Sequence, residues 1–180
     1  MSIDDTNPDD SSVVTIFWSV AASCALHGFS TTVSGMVLAP GLSERFLIVD
    51  RSAEIQQILA EARTHLTDRT VLVETEPLIG SVEEYVPSRS WSQVLLRDHI
   101  VVDLIADFLD RVEPNLAPEL RPACGSFGPW LGRGTGSRVR WDAVMRHIVA
   151  GQRDKSAESL FARRLVGEVL SVAQRLFARH

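Results

Sequence analysis

The stretch Val33-Ser-Gly-Met-Val-Leu-Ala-Pro-Gly-Leu-Ser-Glu-Arg-Phe-Leu-Ile-Val49 decides the fold class. Residues 33–39 and 45–49 are short runs rich in valine, isoleucine and large apolar side chains. Pro40-Gly41-Leu42-Ser43 between them suits a tight reversal, so the stretch predicts a β-hairpin. Residues 70–74 read as a third strand. The acidic run 74–84, interrupted by Pro77 and Gly80, reads as a surface connection. The expectation is an α+β fold: a helix-dominated single domain with a small sheet, hairpin plus one strand, and a helical C-terminal third.

Upstream of the hairpin, no Asp, Glu, Lys or Arg occurs between Ser11 and Ser43, and residues 13–26 are nearly all apolar. The polar exceptions Thr15, Ser19, Ser23 and His27 are four residues apart, which sets them on one stripe of a helix. Ser12 is placed to cap its start and Gly28 to close its end. About 15 residues rise roughly 22 Å, short of the ~30 Å hydrocarbon layer, so the segment reads as a central buried helix and not a membrane span. Its Val, Ile, Phe and Trp also suit a strand.

Downstream, Ser52 reads as the cap of an amphipathic helix with Ile55, Ile58, Leu59, Ala62 and Leu66 on one face. Ser90-Trp-Ser-Gln93 has the form of a capping box opening a long helix. Val94, Val101, Ile105, Phe108 and Val112 make its apolar face, opposite Asp103, Asp107 and Asp110, and Pro114 stops it. Residues 114–138 carry four prolines and five glycines and read as a loop. Two helices follow, over 139–150 and 156–178. The organisation expected is an acidic disordered tail (1–11), an α+β core (12–113), the loop (114–138) and a basic helical pair packed on the core (139–180).

A chain of 180 residues can bury a core without metal or disulfide support, and 45% hydrophobic content argues against wholesale disorder. Cys24 and Cys124 stand a hundred residues apart, and the N-terminus has neither a basic flank nor a leading apolar run, so a cytoplasmic location is expected. Of 18 basic residues only Lys155 is lysine, a bias that suits a GC-rich bacterial genome. Charge is split along the chain: −12 over residues 1–120 and +7 over residues 121–180. Either the basic third faces an anionic partner or it docks on the acidic part of its own fold.

The segment from Cys124 to Arg138 is the most informative for function. Its glycines, among them Gly132, Gly134 and Gly136, let backbone N–H groups approach an anion ahead of a helix N-terminus, and Arg133, Arg138 and Arg140 add forked donors. No lysine stands where a Walker loop needs one, and Pro118, Pro122 and Pro129 oppose the strand a dinucleotide fingerprint requires. Arg133-Gly-Thr-Gly136 resembles, over four residues, the acyl-CoA loop of acetyltransferases of the GNAT type. The strand that precedes that loop in the family is missing here, and the chain ends in two helices.

Other candidates lie on the helices. Cys24 and His27 are three apart and so neighbours, a possible thiolate and base, although neither cysteine belongs to a CxxC pair and no metal site is expected. His99 and Asp103 are four apart, the spacing at which a carboxylate orients an imidazole for acid–base work; His147 is a further such candidate. The C-terminal arginines lack a polar–aromatic pattern for base readout and the net charge is −5, which argues against nucleic acid. The leading expectation is a bacterial cytosolic interaction or regulatory protein. It recognises a protein partner, or a second copy, through Phe127, Trp130, Arg133 and Trp141, since aromatics and Arg concentrate binding energy. The alternative is a small enzyme binding a phosphate-bearing substrate or cofactor, a nucleotide or acyl-CoA, at the same loop.

Overall fold

A computed structural model describes residues 8–66, 70–112, 114, 118, 121, 136–151 and 156–178. The helices are α1 (Pro8–Ser34), followed by a 3-10 turn (Gly35–Val37), α2 (Leu42–His65), α3 (Thr70–Tyr85), α4 (Trp91–Val112), α5 (Gly136–Gly151) and α6 (Ser156–Phe177). No strand occurs among the described residues, so the expected α+β fold and its small sheet are overturned.

The stretch 33–39 spans the end of α1, the 3-10 turn and the corner after it, and the other two misread strands are parts of helices for identifiable reasons. Residues 45–49 belong to α2, whose buried positions Leu47, Ile48, Arg51, Ser52, Ile55, Ile58 and Ala62 form one continuous inward face. Ser52 is therefore a buried mid-helix residue and not a cap. Burial on that face outweighs the β-preference of Ile48, since strand propensity mostly measures how a side chain fits its surroundings. Residues 70–74 open α3, where Thr75, Ile79 and Val82 continue into Val86 as a buried stripe at helical spacing. Pro77 sits inside α3 with its ring exposed, and Gly80 lies under a neighbouring side chain: a Cβ there would stand 2.8 Å from His27 Cε1. Both residues look like helix breakers in the sequence, yet α3 runs through both, and the packing of His27 accounts for the glycine.

Pro40 and Gly41 do mark a reversal, but it joins α1 to α2. The corner is tight because Gly35 sits against Val94 of α4: a Cβ at Gly35 would meet Val94 Cγ1 at 2.8 Å. The start of α4 matches its capping signature. Gln93 N–H donates to Ser90 Oγ at 3.3 Å, and the Gln93 amide oxygen accepts from Arg89 N–H at 2.8 Å.

Helix α1 runs through Gly28 to Ser34 and so exceeds the 15 residues expected. Over residues 14–37 it is long and apolar enough to cross a bilayer by length and composition, and a third of that stretch is buried against other helices. The C-terminal half of the expected polar stripe, Ser23 and His27, faces α3. Ser23 and Thr75 share a buried hydrogen bond of 3.0 Å, His27 Nε2 meets Glu76 Oε1 at 3.0 Å, and Thr31 Oγ1 donates to Glu83 Oε2 at 3.0 Å. Thr31 extends the four-residue spacing by one step.

The helices neighbour one another in a closed ring, α1–α2–α5–α4–α6–α3 and back to α1. Three apolar clusters fill it. One joins α1 and α2 around Trp18, Ile55 and Ile58; one joins α2, α4 and α5 around Ile48, Leu95 and Trp141; one joins α3 and α6 around Ile79, Phe161 and Leu165.

Candidate functional site

Arg51 of α2 and Arg97 of α4 are the buried charged residues among those described. Arg51 of α2 is 2% exposed and pairs with Asp98 Oδ1 at 3.2 Å through Nε and with Glu54 Oε2 at 3.2 Å through Nη1. Burial works against the Arg51 cation, but Asp98 and then Glu54 overcome it and its pKa ends above the ordinary value. Asp98 is thereby committed to a structural ion pair. Arg97, beside it in sequence, pairs with Glu83 at 2.7 Å, donates to Ser88 Oγ at 3.0 Å and lies over the Phe161 ring at 5.8 Å. Burial lowers its pKa, and the attraction of Glu83 offsets only part of that.

The expected His99–Asp103 contact is formed, Nε2 to Oδ2 at 3.3 Å. A second carboxylate, Asp142 of α5, takes the other ring nitrogen, Nδ1 to Oδ1 at 3.1 Å. An imidazole with both nitrogens held by carboxylates has no nitrogen left for a substrate proton. His99 acts as a clamp between α4 and α5. His147 is exposed on α5. Among the described residues no group of three or more His, Cys, Asp or Glu is placed to hold a metal ion.

Cys24 and His27 do not form a nucleophile and base. His27 is engaged with Glu76, and burial pushes the Cys24 thiol up to about 12, so it stays protonated at neutral pH. An open, shallow depression of about 420 Å³ lies beside this pair, lined by Leu26, Phe29, Ser30 and Val33 among others. Its polar floor, His27 and Glu76, is already mutually satisfied.

Of the residues expected at the glycine-rich segment, Phe127, Trp130, Gly132, Arg133 and Gly134 lie outside the described residues. Gly136 is the first residue of α5 and Arg138 stands in its first turn. Arg140 Nη2 donates to Asp50 Oδ2 of α2 at 2.6 Å, so this arginine is taken by an internal carboxylate. Trp141 is fully buried. Its Nε1 donates to the Leu95 carbonyl at 3.3 Å and its ring packs edge-on to Trp91 at 5.7 Å. It is a core residue and is removed from the contact set expected for a partner.

The feature that sequence reasoning missed is the outer face of α2. Leu42, Phe46 and Val49 are 70%, 61% and 52% exposed, and Ala53 one turn on is exposed too. Their spacing of four, three and four residues makes one stripe, opposite the inward face. Val37 of the 3-10 turn and Val139 of α5 are also exposed. Arg140 and its partner Asp50 tie the start of α5 to the flank of this stripe. The signal was present as apolar residues on two sides of one helix, but a strand assignment for residues 45–49 hides it.

No protein-family model matches the chain, and no curated protein matches it.

Proposed function

We propose that this chain is an interaction or regulatory module of the bacterial cytosol. It recognises a protein partner with the outer face of α2, the adjoining start of α5 and the Gly/Arg/Trp-rich segment that leads into Gly136. One observation carries this reading: Leu42, Phe46 and Val49 are exposed on a helix whose opposite face already fills the core. Apolar side chains aligned at helical spacing and turned to solvent suit a helix-in-groove or helix-on-helix contact. Phe127, Trp130 and Arg133, close before α5 in sequence, are the residue types that anchor such contacts.

The enzyme reading draws less support. Its acid–base candidates His99 and Asp103 are locked in a helix clamp, Cys24 is held as a thiol, and Arg140 is paired to Asp50. Bilayer insertion is not part of the proposal, because α1 packs along α2 and α3, which carry Arg51, Glu54, Glu76 and Glu83.

The test is a photo-crosslinking amino acid placed in cells at position 46 and, as control, at the exposed position Gln174 of α6. Adducts at 46 that are absent at 174, and that weaken with Trp130→Ala and Arg133→Ala, are the expected result. No adduct at 46, together with a thermal shift on adding a nucleotide or CoA ester, overturns the reading in favour of the enzyme.

A further inference from the structure

We propose that the partner of the α2 outer face is a second copy of this chain, with the two α2 helices side by side and parallel about a two-fold axis. This inference rests on the reading of that face as a recognition surface and names its occupant.

The stripe has the repeat such a seam needs. Leu42, Phe46, Val49 and Ala53 alternate steps of four and three residues, the a/d pattern that lets two helices mesh side chains along a common line, and Gln56 and Ala60 continue it on the exposed side. From Leu42 to Ala53 the seam is about three turns, or roughly 16 Å. In a parallel pair each of these residues faces its own counterpart, so Phe46 packs on Phe46 and Val49 on Val49.

Charge selects the orientation. Arg45 and Asp50 are both exposed and stand five residues apart, one on each flank of the stripe. In a parallel pair, opposite flanks meet, and Arg45 of one copy reaches Asp50 of the other, twice by symmetry. In an antiparallel pair each flank meets itself, setting Arg45 toward Arg45 and Asp50 toward Asp50. The same four apolar residues would pack in either direction, so the charges decide. Asp50 already accepts from Arg140 through Oδ2, and its second oxygen remains as an acceptor for the incoming guanidinium. Val37 and Val139 widen the contact beyond the helix. A seam this short buries less than a standard interface of about 800 Å² per partner, so the dimer is a weak one.

Sedimentation equilibrium on the full chain from about 5 to about 200 μM tests this, a range that spans a weak dimer's dissociation constant. The mass should rise from one copy of 19.9 kDa toward twice that. Phe46→Glu should abolish the rise with an unchanged helical circular dichroism spectrum. Arg45→Glu should raise the dissociation constant at least about threefold, and that difference should shrink in about 0.5 M salt as screening shortens the reach of the charge. Orientation is read from a nitroxide at Ala60→Cys in a Cys124→Ser background. Parallel helices bring the two labels within about 20 Å. Antiparallel helices centred on the stripe set them about 37 Å apart.

A single-copy mass at every concentration, a dimer indifferent to Phe46→Glu, or the long label distance each overturns the proposal. If the mass stays single while the crosslinker at position 46 still captures another protein, self-association falls and the broader recognition reading stands. If both fail, both fall.

Discussion

Gly35 and Gly167 are both glycines in helical backbone, and what surrounds them sets opposite outcomes for the same substitution. A Cβ at Gly35 would lie 2.8 Å from Val94 Cγ1. Val94 is buried and β-branched, with one comfortable helical rotamer, so it cannot swing aside. Nothing lies within 4 Å of a Cβ at Gly167 in α6. Urea denaturation should show Gly35→Ala destabilising by about 1–3 kcal/mol through overpacking. Gly167→Ala should stabilise by roughly 0.5–1 kcal/mol, because alanine loses less backbone freedom in a helix. Equal signs for the two would contradict the packing described for the corner. Arg51 and Asp98 give a second contrast. Arg51→Met takes the guanidinium away from the buried Asp98 carboxylate and should cost about 3–5 kcal/mol, whereas Arg51→Met with Asp98→Leu should recover most of it.

Cys24 gives a third prediction at this scale, with a definite pH sign. Burial raises its pKa to about 12, so the neutral thiol holds below that value and the thiolate gains ground only as pH rises through it. At pH 8 the thiolate is therefore scarce, whereas an ordinary thiol with a pKa near 8.5 is ionised in roughly one molecule in four. In a Cys124→Ser background a thiol reagent at pH 8 should leave native protein unlabelled and label it once after denaturation. Rapid native labelling would restore the nucleophile reading. The candidate residues were legible in proportion to how local their partners are. His99–Asp103 follows from a four-residue spacing, but Asp142, 43 residues away, depends on how α5 docks. Trp141 looked like a surface contact because composition does not reveal burial, and the exposed Arg140 looked available because charge does not reveal its partner Asp50.

At the scale of elements, the polar seam between α1 and α3 is the sharpest case. The stripe Thr15, Ser19, Ser23 and His27 was readable from period alone. Its partner was not, because Pro77 and Gly80 made α3 look like a connection, and only packing against His27 explains why glycine stands there. The Ser23–Thr75 hydrogen bond is buried, so removing either hydroxyl takes a buried hydrogen-bond partner from the other. Ser23→Ala or Thr75→Val alone should cost about 1–3 kcal/mol, and the double variant clearly less than their sum. Additive losses would mean that the two side chains do not meet. The first half of α2 went unread for a related reason. A helix apolar both inward and outward lacks a single amphipathic signal, and its first half, rich in Phe, Leu, Ile and Val, passes for a strand.

For the whole molecule, the ring of helices explains part of the charge split. Arg140 on Asp50 joins α5 to α2, Arg164 donates to the Tyr85 carbonyl at 3.2 Å, and Arg175 reaches Ser81 Oγ at 3.4 Å, so basic residues of the last third do dock on the acidic part. The ring also fixes which surfaces are spare. Among the described residues every helix has neighbours on both sides, and α2 turns the Leu42, Phe46 and Val49 stripe away from its own. The account stands or falls on that stripe being a recognition surface and not a misplaced piece of core. Phe46→Glu, measured in one preparation for both urea midpoint and association, tests it most directly. The expected result is a stability change within about 0.5 kcal/mol, as for a surface site, together with loss of association. A loss of about 3 kcal/mol or more would place Phe46 in the core and contradict the account, as would association that survives the charge.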